Sequence, residues 1–162
     1  GPAAVRYPRG TGPGVAVDPA MPTLPIGKAE VRREGRRIAL LAFGSMVTPA
    51  LEAGAAFQTT VVNMRFVKPL DQELVLKLAR THDLLITIEE NAIAGGAGSA
   101  VNECLAAAGV VTRVINLGLP NRFLDHGNHQ AQLSQCGLDA AGIRRTILRY
   151  APADLPAKLE SA

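Results

Sequence analysis

Six apolar residues stand in a row at Ile38-Ala39-Leu40-Leu41-Ala42-Phe43, between Arg37 and Gly44. A strand with one wet face alternates, whereas a strand apolar at every position has both faces covered. The run is far too short for a membrane-spanning helix, which needs about 20 residues. Leu84 to Ile88 has nearly the same character. Two such strands call for helices on both faces of a mostly parallel sheet, in three layers.

The punctuation between these runs supplies the rest. Ala29–Arg33 and Arg37–Phe43 read as strands joined by a hairpin-type turn at Glu34-Gly35. Met46–Phe57 reads as a helix with Ser45 or Thr48 as N-cap and Pro49 in its first turn. Thr60–Phe66 is a β-branched strand that Lys68-Pro69-Leu70 ends. Asp71 caps a helix through Arg80, with Leu74, Val75, Leu78 and Ala79 on one face. After Leu84–Ile88, Glu89–Gly98 is expected to be a loop. A helix over Gly98–Ala108 stops at Gly109, and Val110–Leu117 is a strand. His129–Cys136 is a short helix stopped by Gly137, and Asp139 caps the last helix through Tyr150. The alternation of strand and helix predicts a parallel α/β sheet with crossovers of one hand.

Residues 1–25 hold six prolines and four glycines and read as a linker rather than a folded unit. Within it, Ala3–Tyr7 suits one short strand in need of a partner sheet. Residues 151–162, with Pro152 and Pro156, read as a flexible tail. The net charge is +3, of which residues 1–37 contribute +4 and the remainder −1. An even remainder argues against a partner that is nucleic acid. The sequence shows neither a signal peptide nor an apolar span for a membrane. Cys104 and Cys136 form no CxxC and suit free thiols in a reducing, cytoplasmic setting.

Five constellations carry candidate chemistry. Gly95-Gly96-Ala97-Gly98-Ser99 opens a helix after a strand, where backbone N–H groups suit a phosphate. It departs from the dinucleotide fingerprint, since Val101 holds the last position and the strand ends too early. The plainer reading is a tight turn that lets a helix pack closely on a sheet or a neighbouring subunit. Glu89-Glu90 lies at the C-terminal end of a buried strand, the ligand-binding end of an open α/β sheet. Adjacent residues of a strand point oppositely, so the two carboxylates share no proton. With no histidine or third carboxylate nearby, helix capping or an interface salt bridge fits them better than catalysis. The basic run Arg32-Arg33-Glu34-Gly35-Arg36-Arg37 lacks interleaved aromatics and reads as a solvated hairpin tip. His82, His126 and His129 are isolated, and no metal site is expected of them. Arg6-Tyr7-Pro8-Arg9-Gly10 places a guanidinium beside a phenol on a rigid segment, a plausible phosphate clamp.

Several words occur in order: Arg6-Tyr7-Pro8-Arg9-Gly10, Leu24-Pro25-Ile26-Gly27-Lys28, Val62 through Asp71, Glu89-Glu90-Asn91, Gly95 through Ser99, and Asn116-Leu117-Gly118-Leu119-Pro120. Together they resemble the C-terminal part of the bacterial 1-deoxy-D-xylulose-5-phosphate synthase family, from Val5 to about Tyr150. The resemblance implies a transketolase-type transferase of isoprenoid and thiamine biosynthesis, dependent on thiamine diphosphate and Mg2+. It condenses pyruvate with D-glyceraldehyde 3-phosphate and loses CO2. It further implies that residues 1–10 end a pyrimidine-binding domain, 11–25 link, and 26–150 form a transketolase C-terminal-like domain. The N-terminal and pyrimidine-binding domains would then be its partners in a homodimer with catalytic sites between subunits. Cofactor, metal and catalytic residues would lie in those domains and none on this chain, whose own role is assembly. One substrate-binding position carries over: Arg9, which binds the aldehyde's phosphate. The alternative is a stand-alone small-molecule or nucleotide-binding module built on Gly95–Ser99, and an orphan strand before a long linker speaks against it.

Overall fold

A computed structural model describes residues 1–5, 14, 16 and 18–152. Five strands form one sheet in the order β1-β3-β2-β4-β5. They are β1 (Glu30–Arg33), β2 (Arg37–Ala42), β3 (Thr60–Asn63), β4 (His82–Ala92) and β5 (Arg113–Leu119). β2 pairs in parallel with β3 and β4, and β4 in parallel with β5; β1 alone is antiparallel. Five helices cover the faces: α1 (Val47–Gly54), α2 (Gln72–Thr81), α3 (Ala97–Ala107), α4 (His129–Gln135) and α5 (Ala140–Tyr150).

The six-residue apolar run splits by alternation, as its pattern requires. Ile38, Leu40 and Ala42 face a core with Ala50, Ala53, Ile143 and Ile147 of α1 and α5. Ala39, Leu41 and Phe43 face the opposite core with Val75 and Leu78 of α2 and Val101 and Leu105 of α3. The expected three-layer architecture is therefore present. Asp71 caps α2 by accepting from Leu74 N–H at 3.2 Å, and Asp139 caps α5 by accepting from Gly142 N–H at 2.7 Å. Gly109 and Gly137 follow α3 and α4 with φ of +64° and +70°, the left-handed stop that glycine allows.

Four expectations need correction. Glu34-Gly35 is no hairpin turn, because β3 lies between β1 and β2. Gly35 passes over the start of β3: a Cβ there would come within 2.1 Å of the Gln58 carbonyl oxygen. Gly35 N–H donates to Thr60 Oγ1 at 3.1 Å and Arg36 N–H to the Gln58 carbonyl at 2.9 Å. The charged, half-exposed sequence of β1 suits an edge, and buried β3 takes the inner place. Nor does a side chain cap α1: Ser45 bonds elsewhere, a 3-10 turn (Gly44–Met46) precedes the helix, and Met46 is the N-cap. Glu89–Ala92, expected in a loop, continues β4, and Ala92 still pairs with Leu119 beyond a register shift. Of the expected strand Ala3–Tyr7, residues Ala3–Val5 carry none, and Arg6 and Tyr7 lie outside the described residues.

The basic run is only partly solvated. Arg33 donates to the Leu51 carbonyl at 2.8 Å, and Arg37 pairs with Asp83 at 2.6 Å. On the other side of the sheet edge, Ala29 N–H donates to Asp71 Oδ2 at 2.9 Å, and Lys28 pairs with Glu73 at 3.0 Å. Gly27, with φ of +73°, packs on the ring of Pro69. Glu30 meets Arg65 at 2.7 Å. Residues Gly27–Glu30, at the entry to β1, are thus fastened to the start of α2 and to the segment after β3.

His82 opens β4 between Thr60 Oγ1 at 2.8 Å and Thr81 Oγ1 at 2.9 Å. Burial pushes its imidazole below the usual 6.5, against the opposing pull of the Leu78 carbonyl and Asp83. The unfolded chain therefore binds the proton more readily than the folded one. Stability is complete above about pH 6.5 and falls as the pH drops toward the lowered value. Thermal melts between pH 7.5 and 5 check this, with His82→Gln as reference. Wild type should lose more stability than the variant over that interval; equal losses would exclude His82 as a source.

Candidate functional site

At the C-terminal ends of β2 and β4 a cleft of about 450 Å3 opens, lined among others by Ser45, Val67, Glu90, Asn91 and Gly95. This is where ligands bind in open α/β sheets. The two adjacent glutamates at the end of β4 point to opposite faces, as a strand dictates.

Glu89 turns toward α3 and is 3% exposed. Its Oε2 accepts from Ala97 N–H at 2.7 Å and its Oε1 from Gly98 N–H at 2.8 Å. A carboxylate thus sits on the positive end of α3, where two orphan N–H groups and the helix dipole favour an anion. Gly96 and Gly98 make the room. A Cβ on Gly96 would fall 2.4 Å from Glu89 Oε2 and 2.3 Å from the Ala92 carbonyl oxygen. One on Gly98 would fall 2.6 Å from Thr87 Oγ1.

The remaining amides of the turn are also engaged. Gly96 N–H donates to the Ile93 carbonyl at 3.3 Å and Ser99 N–H to the Gly96 carbonyl at 3.1 Å. From Gly96 to Ser99, no N–H is left for a phosphate. The glycine-rich run is a packing device against its own sheet, and the chain's own carboxylate fills the anion position. Glu89 is a helix cap, the plainer of the two expectations for it.

Glu90 faces the cleft. Ser45 Oγ–H donates to its Oε2 at 2.7 Å, and His129 Nε2 lies 2.5 Å from its Oε1. The expectation that no histidine is near is corrected here. The connection after β5 returns His129 from 39 positions away, and Asn128 fixes it by capping α4. The sequence places His129 at the start of a short helix, as observed, but no local pattern points that helix at Glu90; Asn128, a good N-cap, is the signal that fixes where it begins. The order is serine–carboxylate–imidazole, with the carboxylate in the middle. Nucleophilic catalysis needs the imidazole against the hydroxyl, oriented by the acid. Ser45 instead directs its proton at Glu90, so the cluster ties α4 to the sheet.

The other candidates are separate. His82 lies at the opposite, N-terminal end of β4. Cys104 is buried among Leu78, Val101 and Leu105, and burial pushes its thiol up, away from the reactive thiolate. Among the described residues no group of three or more His, Cys, Asp or Glu suits a metal ion, and no helix is long and apolar enough to cross a membrane. Arg9 lies outside the described residues.

Comparison with known proteins matches residues 27–143 to the family described as Transketolase, C-terminal domain. The 1-deoxy-D-xylulose-5-phosphate synthase of Nitrosomonas eutropha is 62% identical over 90% of this chain, and that of Nitrosococcus oceani 60% over 92%. The chain spans about a quarter of the length of these curated relatives: 24% and 23%. A solved structure described as a split gene transketolase, inactive beta4 tetramer, aligns with a TM-score of 0.73 at 31% identity. That alignment covers 82% of this chain and 45% of the other.

Proposed function

This chain belongs to the transketolase C-terminal domain family, and from that premise we propose that it is the C-terminal part of a 1-deoxy-D-xylulose-5-phosphate synthase. The longer protein condenses pyruvate with D-glyceraldehyde 3-phosphate, releases CO2, and depends on thiamine diphosphate and Mg2+. It acts as a cytoplasmic homodimer. What carries the reading is the identity of 57–62% over about 90% of the chain to proteins of that name. Assaying the full-length protein for 1-deoxy-D-xylulose 5-phosphate from the two substrates tests it. No product with cofactor and metal supplied removes the reading.

Within that enzyme this domain serves assembly. The filled helix terminus supports this, since Glu89 takes the one place in the glycine-rich turn that suits a diphosphate. The residues here do not fit the cofactor, which belongs to the preceding domains. Calorimetric titration of the 162-residue chain with thiamine diphosphate and Mg2+ should therefore show no saturable binding tighter than about 100 μM, roughly −5.5 kcal/mol. A tighter isotherm would place part of the cofactor site on this chain. Arg9 supplies the contact to the aldehyde's phosphate from the segment that precedes the linker.

A further inference from the structure

The groove between the edge strand β5 and helix α5 shares no lining residue with the cleft. Its volume is about 490 Å3, within the range of small-molecule sites, about 300–1,000 Å3. Half-buried Ile115 and Leu117 line it on the β5 side and pack against the core. Arg145, Thr146 and Arg149 of α5 line the other side. Gly142 permits the shape: its Cα rests on Gly137, where a Cβ would come within 2.4 Å of the Gly137 Cα.

The charge there is lopsided. Two neighbouring arginines are tied down, Arg113 to the Tyr150 carbonyl at 3.0 Å and Arg144 to the Glu52 carbonyl at 3.3 Å. Among the described residues, Arg145 and Arg149 have no such bond and no carboxylate pairs with them. Asp139 is the carboxylate whose field reaches Arg145, but its Oδ1 accepts from Gly142 N–H and its Oδ2 from Ser134 Oγ–H at 2.7 Å. Arg149 and Arg113 each lie 5.2 Å from the Tyr150 ring centroid. Arg145 and Arg149 are four positions apart on one helix, a spacing at which like charges repel. An anion shared between the two removes that repulsion, and the guanidinium fork matches phosphate oxygens.

We propose that this groove binds a phosphate monoester with an apolar body, the phosphate between Arg145 and Arg149 and the apolar part over Ile115 and Leu117. Inorganic phosphate offers the anion alone and phenyl phosphate both halves. Amide chemical shifts of the 162-residue chain, titrated with each, test the proposal. With phenyl phosphate, shifts at Ile115, Leu117 and Gly142 should saturate below about 10 mM, with inorganic phosphate about tenfold weaker for want of apolar burial. Arg145→Ala and Arg149→Ala should each weaken phenyl phosphate about tenfold, the loss of one charged hydrogen-bonded contact. Arg144→Ala, on the same helix but bonded to Glu52, should leave it unchanged. Shifts that fail to saturate, or an equal loss in Arg144→Ala, overturn the proposal. Equal affinity for the two probes overturns the apolar half of it.

Discussion

Arg9→Ala in the full-length protein should cut kcat/KM for glyceraldehyde 3-phosphate by roughly 30- to 5,000-fold while leaving pyruvate use far less affected. A guanidinium can give two parallel N–H bonds to phosphate oxygens, and a lysine ammonium cannot copy that fork. Removing one partner of a charged hydrogen-bonded pair costs about 2–5 kcal/mol, and 1.36 kcal/mol is about tenfold in rate. Arg9→Lys should recover only part. Arg6 is three positions earlier, on the opposite face if the segment is extended, and is the internal control. Steady-state kinetics with both substrates varied decide it. A change within about threefold for the aldehyde, under ~0.7 kcal/mol, would show that Arg9 does not hold the phosphate. That result would leave the family membership untouched, because membership rests on residues 27–143.

Gly96→Ala should destabilise the chain by about 3–5 kcal/mol. The backbone at Gly96 has φ of −80°, which any residue adopts, so the cost is one of space. A single methyl group displaces the Glu89 carboxylate or the Ala92 carbonyl, both closer than any real Cβ tolerates. Glu89 then keeps a buried charge without its two N–H partners, the costly way to break a buried ionic contact, about 3–5 kcal/mol. For a chain of this length that is a melting shift of roughly 6–20 °C. Gly95→Ala is the comparison, since Gly95 has φ of +71° and open space around its Cα. It should cost only the left-handed backbone penalty, about 1–2 kcal/mol. If Gly96→Ala melts no lower than Gly95→Ala, the Glu89 contact is not what the glycine protects. The contact lies within one chain, so the shift should not depend on protein concentration. A glycine serving mainly a subunit contact would give a concentration-dependent melt.

The architecture was legible because the two-faced run Ile38–Phe43 admits few surroundings. The caps Asp71 and Asp139 and the stops Gly109 and Gly137 were legible because each acts on its own neighbours in sequence. What failed was non-local. Glu34-Gly35 has the composition of a hairpin, yet strand order is set by which strand needs two buried edges, and β3 outranks β1 for that place. Glu89-Glu90-Asn91 looks like a loop because it is polar. Only α3, arriving eight and nine residues later, gives Glu89 the N–H groups that let it stay in a strand. Likewise no spacing rule links Ser45, Glu90 and His129, which the turn after β2, the end of β4 and the start of α4 bring together. The alternation argument that sent Glu89 and Glu90 to opposite faces was local and held.

The fastening at Gly27–Glu30 has a mechanical consequence. A linker that entered the domain through a free loop would act as a universal joint. Here the chain becomes stiff at Gly27, where Pro69 braces the turn, Asp71 grips Ala29, and Arg65 grips Glu30. Any swivelling between this domain and whatever precedes it is thereby confined to residues before Gly27. The lever arm from that pivot into the sheet is short and rigid, because β1 joins it directly. Tension applied along the linker loads the antiparallel bonds between β1 and β3 before it reaches the buried parallel strands. The edge strand is thus the domain's strain gauge: it should come away first under pull, leaving β2, β3, β4 and β5 intact.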